Sequence, residues 1–126
     1  PRGVAIEDPR DGGTEGLASL PLYAGHRLWL GWDGYESLWR GFPEDVGARR
    51  RRLVAFFDGA LPEPSAWLEA EGIDYVLFYR PTDTPERWHA LNASIQRSHV
   101  WCEILILENR PVGYWKRRPA VLCAGR

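Results

Sequence analysis

The stretch Gly72-Ile73-Asp74-Tyr75-Val76-Leu77-Phe78-Tyr79 decides how this chain folds. From Ile73 to Tyr79 a single charged residue interrupts a run of aliphatic and aromatic side chains. A run of that length and composition reads as a strand covered on both faces, the central strand of a parallel sheet. Gly72 is the stop signal of a helix running from Pro64 or Ser65 to Glu71, with Trp67 and Leu68 as its inward residues. On the other side, Thr84-Pro85-Glu86 combines an N-cap residue, a proline for the first helical position and an acid for the first turn. The helix it opens carries Trp88, Leu91, Ala93 and Ile95 on its apolar side and ends near Gln96.

Working outward, Pro43-Glu44-Asp45 opens another helix, with Val46, Leu53, Val54 and Phe57 on one face and Gly59 as its terminator. Towards the N-terminus, Gly3 to Glu7 reads as a short strand closed by Asp8-Pro9, Thr14 to Leu20 as a helix, and Arg27 to Trp32 as a second buried strand. Towards the C-terminus, Val100 to Leu107 reads as a strand, Glu108 to Pro111 as a turn, and Val112 to Trp115 as the returning strand, continued by Ala120 to Cys123. The alternation predicts an α/β fold, a three-layer sandwich with a mainly parallel sheet and an antiparallel C-terminal hairpin. Residues 1–126 show no internal repeat or low-complexity linker, so a single domain is expected.

Composition narrows the function classes. A chain of 126 residues with 44% hydrophobic residues, 26% charged residues and a net charge of -1 is neither a disordered segment nor a domain that grips nucleic acid by bulk positive charge. No Met is present and the first residue is Pro1, which reads as an excised or processed piece of a larger chain. Cys102 and Cys123 are too far apart for a CxxC motif, and His26, His89 and His99 complete no zinc pattern. The cysteines are either a disulfide in an oxidising compartment or two buried thiols in a reducing one, with buried thiols the favoured reading. No GxGxxG or Walker loop occurs, so neither a cofactor nor a metal is expected.

The richest loop is Gly31 to Gly41, GWDGYESLWRG, placed after a strand where open α/β sheets bind ligands. Trp32, Tyr35 and Trp39 can stack on a sugar ring while Asp33, Glu36 and Arg40 bond its hydroxyls; packing of the aromatics as a loop lock is the competing and favoured reading. Asp33 and Glu36 also form a carboxylate pair of the glycosidase type. Arg49 to Arg52 span more than one helical turn, so they form no single basic face. Arg49 or Arg50 falls on the inward stripe with Val46, and Asp33, Glu36 and Asp8 are its expected carboxylate partners. The histidines read as structural, the sequon Asn92-Ala93-Ser94 as a chance match inside a helix, and Lys116-Arg117-Arg118 as a solvated strand end rather than a lipid-headgroup patch.

The order Ala24-Gly25-His26-Arg27, Gly31-Trp32, Leu38-Trp39-Arg40-Gly41, Arg50 ahead of Phe56-Phe57, and Gly72-Ile73-Asp74-Tyr75-Val76 resembles the soluble extracytoplasmic C-terminal region of bacterial C-type membrane glycosyltransferases. These are the polyprenyl-phosphate-sugar-dependent, mannosyl- and arabinosyltransferase-like families. The resemblance covers about half of the chain. It implies a polytopic parent anchored through membrane helices that this chain lacks, with this domain on the periplasmic or cell-surface side and non-catalytic by itself. Its implied role is acceptor binding or structure, its implied partners the transmembrane part of the parent and a sugar or lipid-phosphate ligand; no nucleic acid is expected. Ligand-binding positions on this reading are Trp32, Asp33, Tyr35, Glu36, Trp39, Arg40 and Arg50. The family's catalytic acid lies in an early loop absent here, so none is assigned. The alternatives are a freestanding α/β protein that binds a small carbohydrate-like or anionic ligand and, ranked last, a hydrolase using Asp33 and Glu36.

Overall fold

A computed structural model describes residues 3–10, 27–29, 43–80, 83–119 and 123, with the side chains of 27, 28 and 43–46 left aside. In chain order the elements are β1 (Val4–Ile6), β2 (Arg27–Leu28), α1 (Pro43–Phe57), α2 (Pro64–Ala70), β3 (Ile73–Phe78), α3 (Pro85–Ile95), β4 (His99–Leu107) and β5 (Arg110–Arg117). The strands form one open mixed sheet in the order β2-β1-β3-β5-β4, so the fold is of the α/β class. β3 is central, as its apolar run requires. The sheet is not mainly parallel, however: β1 pairs parallel with β2 and β3, whereas β5 pairs antiparallel with both β3 and β4. The helix expected from Thr14 and most of the strand expected to Trp32 lie outside the described residues.

Local chemistry sets the element ends. α1 stops in a Schellman motif: Gly59, at φ 75°, donates to Phe56 O, and Ala60 donates to Ala55 O at 2.8 Å. The Thr84 hydroxyl accepts from Arg87 N, capping α3 as the sequence predicts. β3 carries an extra residue, since Val4 pairs with Ile73 but Ala5 pairs with Tyr75. The inserted Asp74 uses its carboxylate to accept the Val4 N–H at 3.0 Å. The bulge also returns Ile73 to the same face as Val76 and Phe78. Between β4 and β5 the turn is two residues, Glu108-Asn109, both with positive φ (51° and 63°), so β5 begins at Arg110 rather than Val112. That is the type I′ geometry, whose twist matches the flanking strands.

All three described helices cover one face of the sheet, where Leu53, Phe56, Leu68, Val76, Leu91 and Trp115 form the main core. Trp115 is fully buried and donates its indole N–H to Asn92 Oδ1 at 2.9 Å, so the sequon asparagine serves the core. The opposite face buries Ala5, Leu77, Cys102 and Tyr114, with Cys123 packed against them. Cys102 and Cys123 are joined as a disulfide, which corrects the expectation of buried thiols. Sequence spacing could not show this, because the two cysteines are 21 positions apart and meet only in the tertiary structure. Lys116-Arg117-Arg118 is not simply a solvated end: Arg117 reaches Glu69 at 3.4 Å and Asp74 at 3.6 Å, and Arg118 Nε donates to Gln96 O.

Candidate functional site

The C-terminal ends of the parallel strands β1 and β3 are where a sheet of this kind builds its sites, and the chain places charge there. Glu7 and Asp8 follow β1, Tyr79 and Arg80 follow β3, Asp83 precedes α3 and Arg87 lies in its first turn. Burial of these residues is high: Glu7 is 8% exposed, Asp8 3%, Arg80 5% and Asp83 2%. Ionised groups so far from water need partners.

Each carboxylate has them. Glu7 Oε1 accepts from the Tyr79 hydroxyl and from Arg80 Nη2 at 2.5 Å, and the Arg80 guanidinium lies 5.3 Å from the Tyr79 ring centroid. Asp83 accepts the Arg80 backbone N–H at 2.8 Å and returns its own N–H to Arg80 O, while Arg110 Nη1 donates to that same carbonyl. Asp8 is gripped by both Nε and Nη2 of Arg10, at 2.9 and 2.7 Å, in a bidentate pair. Arg87 bridges Asp8 at 2.9 Å and Asp83 at 3.2 Å, and Arg10 extends outward to Asp58 at 2.8 Å.

The electrostatics follow from this wiring. Burial raises the Glu7 carboxyl above its ordinary range, against the opposing pull of the Tyr79 hydrogen bond and of Arg80. Burial likewise raises Asp83. At Asp8 burial acts in the same direction, but the hydrogen bonds from Arg10 and Arg87 outweigh it and its pKa falls. Burial, then the bond to Glu7, push the Tyr79 phenol upward. Two acids displaced upward and one downward within a single cluster is a pattern typical of functional sites and of structural ion networks alike.

Beside the cluster a half-open cleft of about 370 Å³ runs between the end of α1 and α3, and Asp58 and Arg87 belong to both cleft and cluster. Phe57, Leu61, Pro64 and Leu91 make the rest of its wall largely apolar. That volume falls in the range of small-ligand sites. The arrangement can hold a hydroxyl-bearing or amphipathic molecule, with Asp58 accepting and the apolar wall covering its carbon face. Among the described residues no group of three or more His, Cys, Asp or Glu side chains is arranged to hold a metal ion.

Of the ligand-binding positions predicted from sequence, Trp32, Asp33, Tyr35, Glu36, Trp39 and Arg40 lie outside the described residues. Arg50 is described and half-buried on α1. Its neighbour Arg49 meets Trp29, donating to the Trp29 carbonyl and placing its guanidinium 4.7 Å from the ring centroid. Asp8, one expected carboxylate partner of this arginine pair, is instead held by Arg10 and Arg87. Among the described residues Arg49 meets a carbonyl and an indole face; Asp33 and Glu36, its other expected carboxylate partners, lie outside the described residues. Trp29 is itself fixed, donating its indole N–H to Glu71 Oε1 and meeting Trp67 edge-on.

The sequence reading passed over Glu7, Arg10, Tyr79, Arg80, Asp83 and Arg87. One available signal was position: Glu7-Asp8 and Tyr79-Arg80 stand directly after two strands expected to be parallel neighbours. His99 is structural as expected, fully buried with Nε2 2.9 Å from Ile73 O and Nδ1 2.8 Å from Ser98 Oγ. Those contacts are met together when Nε2 carries the proton and donates to Ile73 O, while Nδ1 accepts from Ser98. Comparison of the chain with protein-family models, with curated proteins and with solved structures found no match.

Proposed function

We propose that the chain is an extracytoplasmic domain of a polytopic, glycosyltransferase-like membrane protein, non-catalytic by itself, whose role is structural. The observation that carries the extracytoplasmic part of this reading is the Cys102–Cys123 disulfide, because such bonds persist in oxidising compartments and are rare in the cytosol; the glycosyltransferase-like parent rests on the resemblance of the sequence. The charge cluster supports the role: Glu7, Asp8 and Asp83 are each bonded to arginine, an arrangement that fixes the strand ends and the start of α3 as one unit. No helix among the described residues is long and apolar enough to cross a membrane. In finer terms the reading keeps a three-layer sandwich, with the β4–β5 pair as its C-terminal hairpin edge. What supports it is the burial of Ala5, Leu77 and Tyr114, at 0 to 2% exposure, on the face away from the three described helices.

The test is non-reducing peptide mapping of the native protein from fractionated cells, with protease accessibility in spheroplasts. The reading requires a linked Cys102–Cys123 peptide, membrane association and cleavage from outside. Free thiols in a cytosolic fraction, or glycoside turnover by the chain alone, would overturn it. A second reading, a domain that binds a small carbohydrate-like ligand, is favoured by the 370 Å³ cleft with Asp58 at its rim. Saturable quenching of tryptophan fluorescence by an oligosaccharide, abolished by Asp58→Ala, would establish it.

A further inference from the structure

Past Gly113 the β4–β5 ribbon overhangs the sheet: β3 stops pairing with β5 at Phe78–Gly113, whereas β4 and β5 stay paired out to Leu107–Arg110. On that overhang Ile104, Leu105, Ile106 and Leu107 are 50%, 46%, 63% and 49% exposed. Four consecutive large aliphatic side chains in solvent is an arrangement that marks an interaction surface. Side chains alternate along a strand, so both faces of the ribbon are apolar there.

The backbone is available too. β4 is the outermost strand, and among the described residues no strand pairs with its outer side. Leu107 and Arg110 close the two-residue turn, which makes Ile106–Pro111 a non-hydrogen-bonded pair, and Pro111 has no N–H to contribute. The Ile106 N–H and C=O therefore point to the free edge. The bulge at Ile104 leaves Leu105 to Leu107 in regular register.

Three occupants can cover an apolar edge. A bilayer would strip water from the outward N–H and C=O groups without replacing their hydrogen bonds, and would carry in the Glu108 carboxylate, whose side chain is 83% exposed at the ribbon tip with Arg110 Nη2 at 3.9 Å. A second copy, paired antiparallel about the four aliphatics, would set Glu103 of one chain against Glu108 of the other. It would also bury too little: at about 100 Å² per fully covered aliphatic side chain, four half-exposed ones give roughly 200 Å² per copy, against ~800 Å² in a standard interface. An extended segment of another polypeptide supplies backbone partners, alternate apolar side chains and a cation that can approach Glu108 more closely than Arg110 does at 3.9 Å.

We propose that the outer edge of β4 over Ile104–Leu107 receives a β-strand from a partner polypeptide, aliphatic at alternate positions and carrying a basic residue that meets Glu108. The site stands on the edge geometry alone and does not depend on the compartment or the parent of the chain. The probe is a fluorescein-labelled peptide, Lys-Val-Thr-Val-Ile-Lys, titrated with the 126-residue chain and followed by anisotropy. Saturable binding is expected, about tenfold weaker for a peptide N-methylated at alternate amides and for one with Glu in place of both Lys. Binding should be lost in the Ile104→Ser, Ile106→Ser double variant with its circular dichroism and melting unchanged. Should that variant fold poorly, Glu108→Lys serves instead and should reverse the preference towards the Glu-flanked peptide. Absence of saturable binding, or equal binding of the N-methylated peptide, overturns the proposal. So does a concentration-dependent dimer, or co-sedimentation with phosphatidylcholine–phosphatidylglycerol vesicles, that the double Ser variant abolishes.

Discussion

Reducing the Cys102–Cys123 bond leaves every atom of the core in place and removes a single constraint, so its effect can be worked out from the chain between the two sulfurs. The bond closes a loop with a sequence separation of 21 residues. In the chain-entropy treatment such a loop restricts the unfolded state by about 11 cal/mol/K, worth about 3 kcal/mol at 25 °C. With an unfolding entropy of ~2.1 cal/mol/K per residue over 126 residues, that stability corresponds to a fall in Tm of about 12 °C. Cys102 is 1% exposed among Ala5, Leu77 and Tyr114, so a Cys102→Ala, Cys123→Ala protein should lose about 1 kcal/mol more through packing. The assay is thermal and urea unfolding with and without a phosphine reductant. The m-value should rise on reduction, because an unfolded chain freed of its cross-link exposes more surface. A Tm change below about 3 °C on full reduction would refute the loop argument, and an unchanged m-value would place the effect in the native state instead.

Replacing Arg80 by Met leaves Glu7 buried without its cation and should cost about 3–5 kcal/mol in urea unfolding, with Glu7→Gln added to Arg80→Met recovering part of it; a loss under about 1 kcal/mol would show the pair to be dispensable. Burial holds the His99 pKa below its usual 6.5. The unfolded chain therefore takes up the proton first, so the His99 contribution to stability is full above pH 6.5 and is lost as pH falls from there to the folded-state value. His99→Gln should flatten that slope in a pH series of melts, and an identical slope would reject the assignment. A Cβ at Gly113 would lie 2.3 Å from the Cys102 carbonyl oxygen, so Gly113→Ala should destabilise by about 1–3 kcal/mol or more, and an unchanged unfolding midpoint would mean that the strands can separate there at no cost.

Much of the described architecture was legible along the chain because its signals are local. Thr84-Pro85-Glu86, Gly59 and Gly72 act within one turn of the helix ends they define, and the structure places α1, α2 and α3 within a residue or two of the sequence reading. The burial of β3 follows from its own composition. What the sequence could not settle is which distant groups meet. Asp8 and Arg87 are 79 positions apart, and Arg49 and Trp29, joined by the arginine donating to a backbone carbonyl, are 20 apart. The place of β5 between β3 and β4, which makes the sheet mixed, depends on a strand returning through the centre of the sheet rather than along its margin. The exposed run Ile104 to Leu107 has the composition of a core strand, and only the overhang of the ribbon beyond Gly113 turns it towards solvent. Sequence by itself determined the three described helices, the Thr84 cap, the Gly59 and Gly72 stops and the central strand, because these rest on residues within a few positions of one another; the tertiary structure decided the sheet order, the disulfide and the charge cluster, because each is a contact between segments whose proximity no local rule specifies.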